Sequence, residues 1–318
     1  MRSALRIALL LASPCACAWP TDGGAGGDSS AATESGDSSD DSSVDVGEST
    51  GTILDLPDHD GPGCAKVDLL FVIDNSVSMV SEQGNLIASF PEFIASVRAT
   101  LDQTDSYHLG VVTTDAYQFN DPRCRTLGAL VTRTGGAGSS ASDCGPFVEG
   151  RYMTEADDLE AAFACAGQVG IDGDNDERPI QALELALGEE LAAGCNTGFL
   201  RDEALLVVVI ITDEEDDHTS LLGKSQGSPG EPPDWFAMLE ARKGVESNVA
   251  VLTIIGGLPG NECPFPTGSG AEDSPRLREF TELFTHGFLG DVCAWSYGDF
   301  FMQAVEVIDS ACDGFMVP

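Results

Sequence analysis

The sequence predicts an α/β fold: a doubly wound, mostly parallel sheet flanked by helices and stapled by disulfides. Three observations predict it. Apolar, β-branched runs recur at 67–73 (VDLLFVI), 108–113 (HLGVVT), 204–211 (ALLVVVII) and 249–255 (VAVLTII). Runs with so little polar alternation suit strands buried on both faces, as in a parallel sheet. Segments with apolar residues at helical spacing lie between them, and a strand–helix–strand order implies right-handed crossovers in an open sheet. The cysteines that remain after an N-terminal export signal form an even set, which in an exported chain reads as disulfides.

Residues 1–18 read as a signal peptide. Arg2 and Arg6 give a positive start, Ile7 to Ala12 is an apolar run too short to span a bilayer, and Ala16-Cys17-Ala18 is a small-x-small cleavage site. Cys15 and Cys17 raise a second reading, a lipid anchor on the first mature cysteine, although the residues before them fit a bacterial lipobox poorly. Free secretion and anchoring both stay open, so the expected location is secreted, periplasmic or outer-surface lipoprotein. No other segment reads as a transmembrane helix. Residues 19–63 are a block of Asp, Ser, Gly, Thr and Glu without Lys or Arg. Such a stretch buries too little to offset its ordering entropy, and it is expected to be a disordered acidic linker. Residues 64–318 then form one domain.

Within that domain the first helical pattern is 82–102, with Leu86, Phe90, Phe93, Ile94 and Val97 on one face and Pro91 expected to bend or split it. The others are 177–192 (Ile180, Leu183, Leu187, Leu191), 234–242, 275–285 and 298–311 (Phe301, Ala304, Val305, Ile308). The segment 118–134 is a candidate antiparallel edge strand. The formal charge of −38, from 53 acidic and 15 basic residues, argues against a nucleic-acid partner. It suits a soluble surface protein or a binder of cations.

The strand ends carry the chemistry. In an open α/β sheet ligands sit beyond the carboxyl ends of the strands. Asp74 ends the first apolar run, Thr114 and Asp115 follow the second, and Asp213 follows the third. Carboxylates brought together in a crevice repel one another unless a cation joins them, and oxygen-only ligands select Mg2+, Mn2+ or Ca2+. The run DEEDDH at 213–218 has a second reading, a solvated acidic loop, expected for Glu215 to Asp217; Glu214 is a weaker candidate than Asp213. The histidines (His59, His108, His218, His286) are scattered and read as surface or turn residues.

Asp74-Asn75-Ser76-Val77-Ser78 resembles the D-x-S-x-S signature of von Willebrand factor A domains, and VVIITDEED resembles that family's later strand ending in Thr-Asp. The resemblance extends over roughly residues 66–311 and is closest to secreted and lipoprotein members of bacteria. It implies a Rossmann-like sheet with a metal-ion-dependent adhesion site. Asp74, Ser76 and Ser78 would be first-loop ligands, alternation placing both hydroxyls on one side, and Asp213 would act directly or through water. The family's threonine ligand has no clear counterpart. VGIDGDNDERPIQAL stands in its place and offers Asp172 and Glu177 as substitutes, with Asp174 and Asp176 nearby. The D-x-D-x-D run at 172–176 also admits a separate Ca2+-like loop or a simple acidic helix start.

The resemblance implies a non-catalytic adhesion module whose divalent cation engages an acidic side chain of a protein partner. Two alternatives are a metal-dependent hydrolase on the same carboxylates and a structural surface protein without metal. For the hydrolase the chain lacks H-E-x-x-H and Walker motifs. In such a fold the ends lie close together, so Cys64 and Cys312, which flank the domain, are expected to pair; Cys124 with Cys144 would staple the loop between them. Cys165, Cys195, Cys263 and Cys293 stay unassigned.

Overall fold

The computed structural model describes residues 63–101, 104–174, 176–217, 227–258 and 270–317. The signal peptide, the linker up to residue 62, the lipid-anchor cysteines, His59, His218 and Cys263 lie outside the described residues. The four apolar runs form β1 (Lys66–Ile73), β2 (Ser106–Thr113), β4 (Leu205–Ile211) and β5 (Val249–Ile255); β3 (Met153–Thr154) and β6 (Gly287–Asp291) complete a six-stranded sheet of order β3-β2-β1-β4-β5-β6. All neighbours are parallel except β2 and β3. The chain winds outward from β1 to β2 and β3, then returns to β4 on the other side of β1. The topological switch therefore lies between β1 and β4.

Alternation along β1 feeds two cores. Val67, Leu69, Phe71 and Ile73 pack on one face against α1 (Val80–Thr100), α2 (Leu159–Ala166) and α7 (Gly298–Asp313). Leu70 and Val72 pack on the other against α3 (Pro179–Ala186), α5 (Pro232–Lys243) and α6 (Pro275–Glu282). The short α4 (Glu189–Ala192) follows α3. On the first face Phe71, Phe90 and Phe163 interlock, the last two stacked at 3.8 Å, and Phe93 meets Phe301 at 4.5 Å.

Several expectations change. Pro91 neither splits nor ends α1. Phe90 and Phe93 on either side of it are both buried, and two such side chains at about 1.5–3 kcal/mol each offset the roughly 3 kcal/mol an interior proline costs. The helix expected over 177–192 is broken into α3 and α4 at Gly188. The segment 118–134 is no strand: it makes one isolated bridge, Arg133 to Asp143, and a backbone bond to β2 from Val131 N–H to Val111 O at 2.8 Å, side chains supply further bonds, and the antiparallel edge is β3. Asn120 and Asn196 supply those bonds, receiving Thr132 N–H and Leu130 N–H and donating to Leu130 and Gly128 carbonyls. Neither α2 nor β6 was anticipated.

Cys64 and Cys312 are joined, as expected, but Cys124 pairs with Cys195 and Cys144 with Cys165. The loop after β2 is thus tied to its surroundings rather than to itself. Cys293 is also disulfide-bonded. Disulfides fit an oxidising, extracellular environment. No helix among the described residues is long and apolar enough to cross a membrane.

At the amino ends of the strands, Asp68 on β1 is fully buried and met by Arg201 through Nε at 2.8 Å, Nη2 at 2.6 Å and the backbone N–H at 2.7 Å. Lys243, itself buried, donates to the Arg201 and Asp202 carbonyls. Arg201→Ala leaves Asp68 buried without its guanidinium, and the expected loss is about 3–5 kcal/mol, read from urea unfolding midpoints. A loss within experimental error would show that water or Lys243 replaces the guanidinium.

Candidate functional site

Register brings the strand ends level. Ile73 lies opposite Thr113 on one side and Ile211 on the other, so Asp74, Thr114 and Thr212 leave the sheet side by side. The Asp74 N–H donates to Ile211 O at 3.0 Å, extending the ladder one residue into the site. Asp74 is fully buried. Its Oδ1 accepts from Ser76 N–H at 2.7 Å and its Oδ2 from Thr212 Oγ at 2.7 Å.

The two hydroxyls of the D-x-S-x-S loop sit together, Ser76 Oγ 3.1 Å from Ser78 Oγ, and Ser78 donates to Asp213 Oδ1 at 3.0 Å. Val77 between them is exposed, as alternation predicts, and Val80 follows it into solvent. Asn75 turns the other way but does not reach solvent: it is buried, accepting from Thr114 Oγ and, through its carbonyl, from Gly173 N–H at 2.9 Å. A Cβ on Gly173 would stand 2.6 Å from Asn75 O, so only glycine lets the 171–177 segment run this close over the first loop.

That segment delivers Glu177, buried beneath the site. Its Oε2 takes a short hydrogen bond from Thr114 Oγ, while its Oε1 is buried without a hydrogen-bond partner. Glu177 is within hydrogen-bonding reach of Asp74. Asp172 is not brought in: it is exposed, and its Oδ2 accepts from Ala137 N–H at 2.8 Å. Asp176 accepts from Gly227 N–H. The carboxylates at 172 and 176 thus take separate partners rather than enclosing a common centre. Asp115 is buried, accepting from Thr113 Oγ and Asp174 N–H.

The run after β4 is only partly a solvated loop. Asp217 is exposed and Glu215 half-buried, but Asp216 is fully buried, contrary to expectation. It accepts from Ile180 N–H at the start of α3 and from Ser228 N–H and Oγ. Asp216 therefore satisfies a free donor at that helix start, the role of an N-cap supplied from a distant segment. Of the histidines, His108 is buried near Asp68 and bonded to Phe199 O, far along β2 from the site.

Two residues that hold the site were missed. Thr212 binds Asp74 and receives Glu214 N–H; the Thr-Asp pair was in view, but only its aspartate was assigned. Gln83, buried on α1, donates to Asp74 O at 3.0 Å and Gly170 O at 2.8 Å and receives Gly170 N–H, tying the first loop to the 170s segment. A polar residue on the inward face of an amphipathic helix was its only sequence signal.

Burial pushes the carboxylates of this cluster upward, and their mutual repulsion adds to it. Asp74 and Glu177 are raised, the latter strongly, by desolvation first and, for Glu177, by Asp74 next. Asp213 is raised to about 7, by burial and then by Asp74, and Glu214 to about 7 by burial, Asp74 and Asp213. Among the described residues, no Lys or Arg forms an ion pair with any of the four. Nor do three His, Cys, Asp or Glu side chains among the described residues converge as a metal group.

No family model and no curated protein matches the chain. Among solved structures it is similar to proximal thread matrix protein 1 from the mussel byssus (TM-score 0.41, 13% identity, 79% of this chain and 49% of that one). It is also similar to the pilus adhesin SpaC from Lactobacillus rhamnosus GG (0.39, 11%, 76% and 30%) and to a von Willebrand factor type A structure from Catenulispora acidiphila (0.34, 14%, 78% and 43%). The chain spans about half or less of the length of each.

A group whose pKa is higher folded than unfolded binds more protons in the native state and favours folding as the pH falls. Asp213 and Glu214, at about 7 when folded, regain the ordinary carboxylate range on unfolding. The melting temperature of the metal-free protein is therefore expected to rise as the pH is lowered from about 8 to about 6. Asp213→Asn should flatten that rise. An equal slope in the variant would mean that Asp213 does not titrate there.

Proposed function

We propose that the chain is a non-catalytic binding module of the von Willebrand factor A type, which holds a divalent cation at the carboxyl edge of its sheet and uses it to engage an acidic side chain of a protein partner. The observation that carries this reading is Glu177 Oε1. It is buried, receives no hydrogen bond from a donor among the described residues, and lies in a cluster of carboxylates with which no described basic residue pairs. Leaving such a group unmatched is costly, by about 1–3 kcal/mol or more when charged. One hard divalent cation beside Asp74 and Glu177 would satisfy it and relieve their repulsion.

In this reading Asp74 and Glu177 would offer carboxylate oxygens, Ser76 and Ser78 would offer hydroxyls, and Asp213, hydrogen-bonded to Ser78, would act directly or through water. An all-oxygen set of this kind suits Mg2+, Mn2+ or Ca2+. Thr212 and Gln83 would fix Asp74 from behind, as outer partners fix metal ligands. Exposed Val77 and Val80 beside the hydroxyls give a partner apolar surface to cover. Export, free or lipid-anchored, belongs to the same reading.

Calorimetric titration with Mg2+, Mn2+ and Ca2+ tests the site. Asp74→Ala is expected to lower affinity by at least the roughly 10–100-fold that loss of an outer partner already costs, and Asp213→Ala by less. Unchanged affinity in Asp74→Ala would remove the site assignment.

Glu177 in place of a hydroxyl has a second consequence. With Asp74 it neutralises a divalent charge, which tightens metal binding and weakens the pull on an external carboxylate. Glu177→Thr should thus lower metal affinity yet raise capture of an acidic peptide at saturating metal. Both quantities staying constant would place Glu177 outside the coordination sphere.

A further inference from the structure

Away from the strand ends, the segment between β2 and β3 encloses a second concavity of about 350 Å³, lined by Arg123, Arg133 and Arg151 together with Asp121 and Asp143. That is the lower end of the size range of small-ligand sites. In a chain of net charge −38, four of the 15 basic residues (Arg123, Arg125, Arg133 and Arg151) belong to this one segment.

The guanidinium groups are only partly used. Arg133 meets Asp143 through Nε at 3.2 Å, and Arg123 meets Asp121 through Nε at 3.5 Å. The Nη groups of both have no partner among the described residues. Arg151, half-buried, has no carboxylate within ion-pair distance among the described residues. Its Nη2 donates to Asn120 Oδ1 at 3.2 Å and Leu130 O at 2.8 Å, and its Nε is buried without a partner. Guanidinium forks with unspent N–H pairs match the oxygen geometry of carboxylate, sulfate and phosphate groups.

The walls are fixed in advance. Asn120 is fully buried and bonds at once to Asp121 N–H, Thr132 N–H, Cys124 O, Leu130 O and Arg151. Cys124, next to Arg123, is joined to Cys195, and Cys144, next to Asp143, is joined to Cys165. Of the three arginines Arg151 is held in this way, which lowers the entropy its contact costs when a ligand enters, whereas the side chains of Arg123 and Arg133 are exposed and free to move.

We propose that this concavity is an anion-binding site, separate from the strand-end cluster, which receives a carboxylate, sulfate or phosphate group carried on a molecule no larger than about one sugar or side chain. Arg151 is the fixed contact. Arg133 and Arg123 close on the anion as their bonds to Asp143 and Asp121 loosen. The two aspartates hold the arginines apart from one another and compete with the ligand for them.

The test uses the full chain carrying Asp74→Ala, so that an anion captured by metal at the strand ends cannot contribute. Sulfate, phosphate and D-glucuronate are titrated at constant ionic strength, with glucose as the neutral control, and followed by calorimetry and amide NMR. At least one anion should bind and shift amides of residues 121–151, while glucose does neither. Arg151→Gln should weaken that binding at least ~10-fold, the factor carried by one charge-assisted hydrogen bond. Arg133→Gln, at a half-exposed position, gives a second reading if Arg151→Gln does not fold. Asp143→Asn should strengthen binding, since it frees Arg133. Preference for sulfate and phosphate would identify a tetrahedral group, and preference for glucuronate a carboxylate. Absence of binding by all three anions overturns the proposal, as does binding that both arginine substitutions leave unchanged.

Discussion

The central strand β1 has no solvent face. β2 and β4 flank it, helices cover it above and below, and its side chains from Val67 to Ile73 are inaccessible to water. A strand in that position excludes polar groups from its middle, because burying them unpaired is costly. Its two polar exits, Asp68 and Asp74, are treated in opposite ways. Asp68 meets a guanidinium and a buried lysine sits nearby, so the negative charge is matched within the protein. Asp74 meets only hydroxyls, backbone N–H groups and other carboxylates. Both aspartates are buried on the same strand, so burial alone does not account for the contrast. One edge is electrically complete and serves the fold; the other is left short of positive charge.

Much of this was legible from the chain. The β-branched runs marked the buried strands because a strand covered on both faces needs no alternation, and D-x-S-x-S marked the first loop because its hydroxyls share one side. Residues whose role is set by a distant partner were not legible. Asp216 looks like one of several loop acids until α3 is placed against it, and Gln83 like a stray polar residue until Gly170 is in reach. The expected Cys124–Cys144 pair failed for the same reason, whereas Cys64–Cys312 formed. Cys124 and Cys144 are close in sequence, but each meets a cysteine from elsewhere, Cys195 after α4 and Cys165 in α2. β6 (GFLGD) was passed over because it is short and carries two glycines, and its place at the sheet edge comes from pairing with β5 rather than from its own composition.

The basic residues serve two ends: some form surface charge pairs, as Lys66 with Glu203 and Arg278 with Asp273, and others are committed to the interior. Arg201 and Lys243 are committed to one buried edge, and Arg276 lies over Trp235 while donating to carbonyls of the loop after β4. The segment after β2 keeps its arginines within a framework of one buried asparagine and two disulfides.

The bond between Cys64 and Cys312 sets how the domain bears load. Cys64 lies just ahead of β1 and Cys312 in the last turn of α7, so tension applied along the chain at residue 63 and residue 314 passes through one covalent link and spares the sheet. Tension between residue 63 and something held at the Asp74 edge takes a different path. It runs lengthwise down β1, from its amino end to its carboxyl end. Both points lie at the ends of that one strand, so its covalent backbone carries the load between them. The strand that places Asp74 is then also the strand that takes the pull.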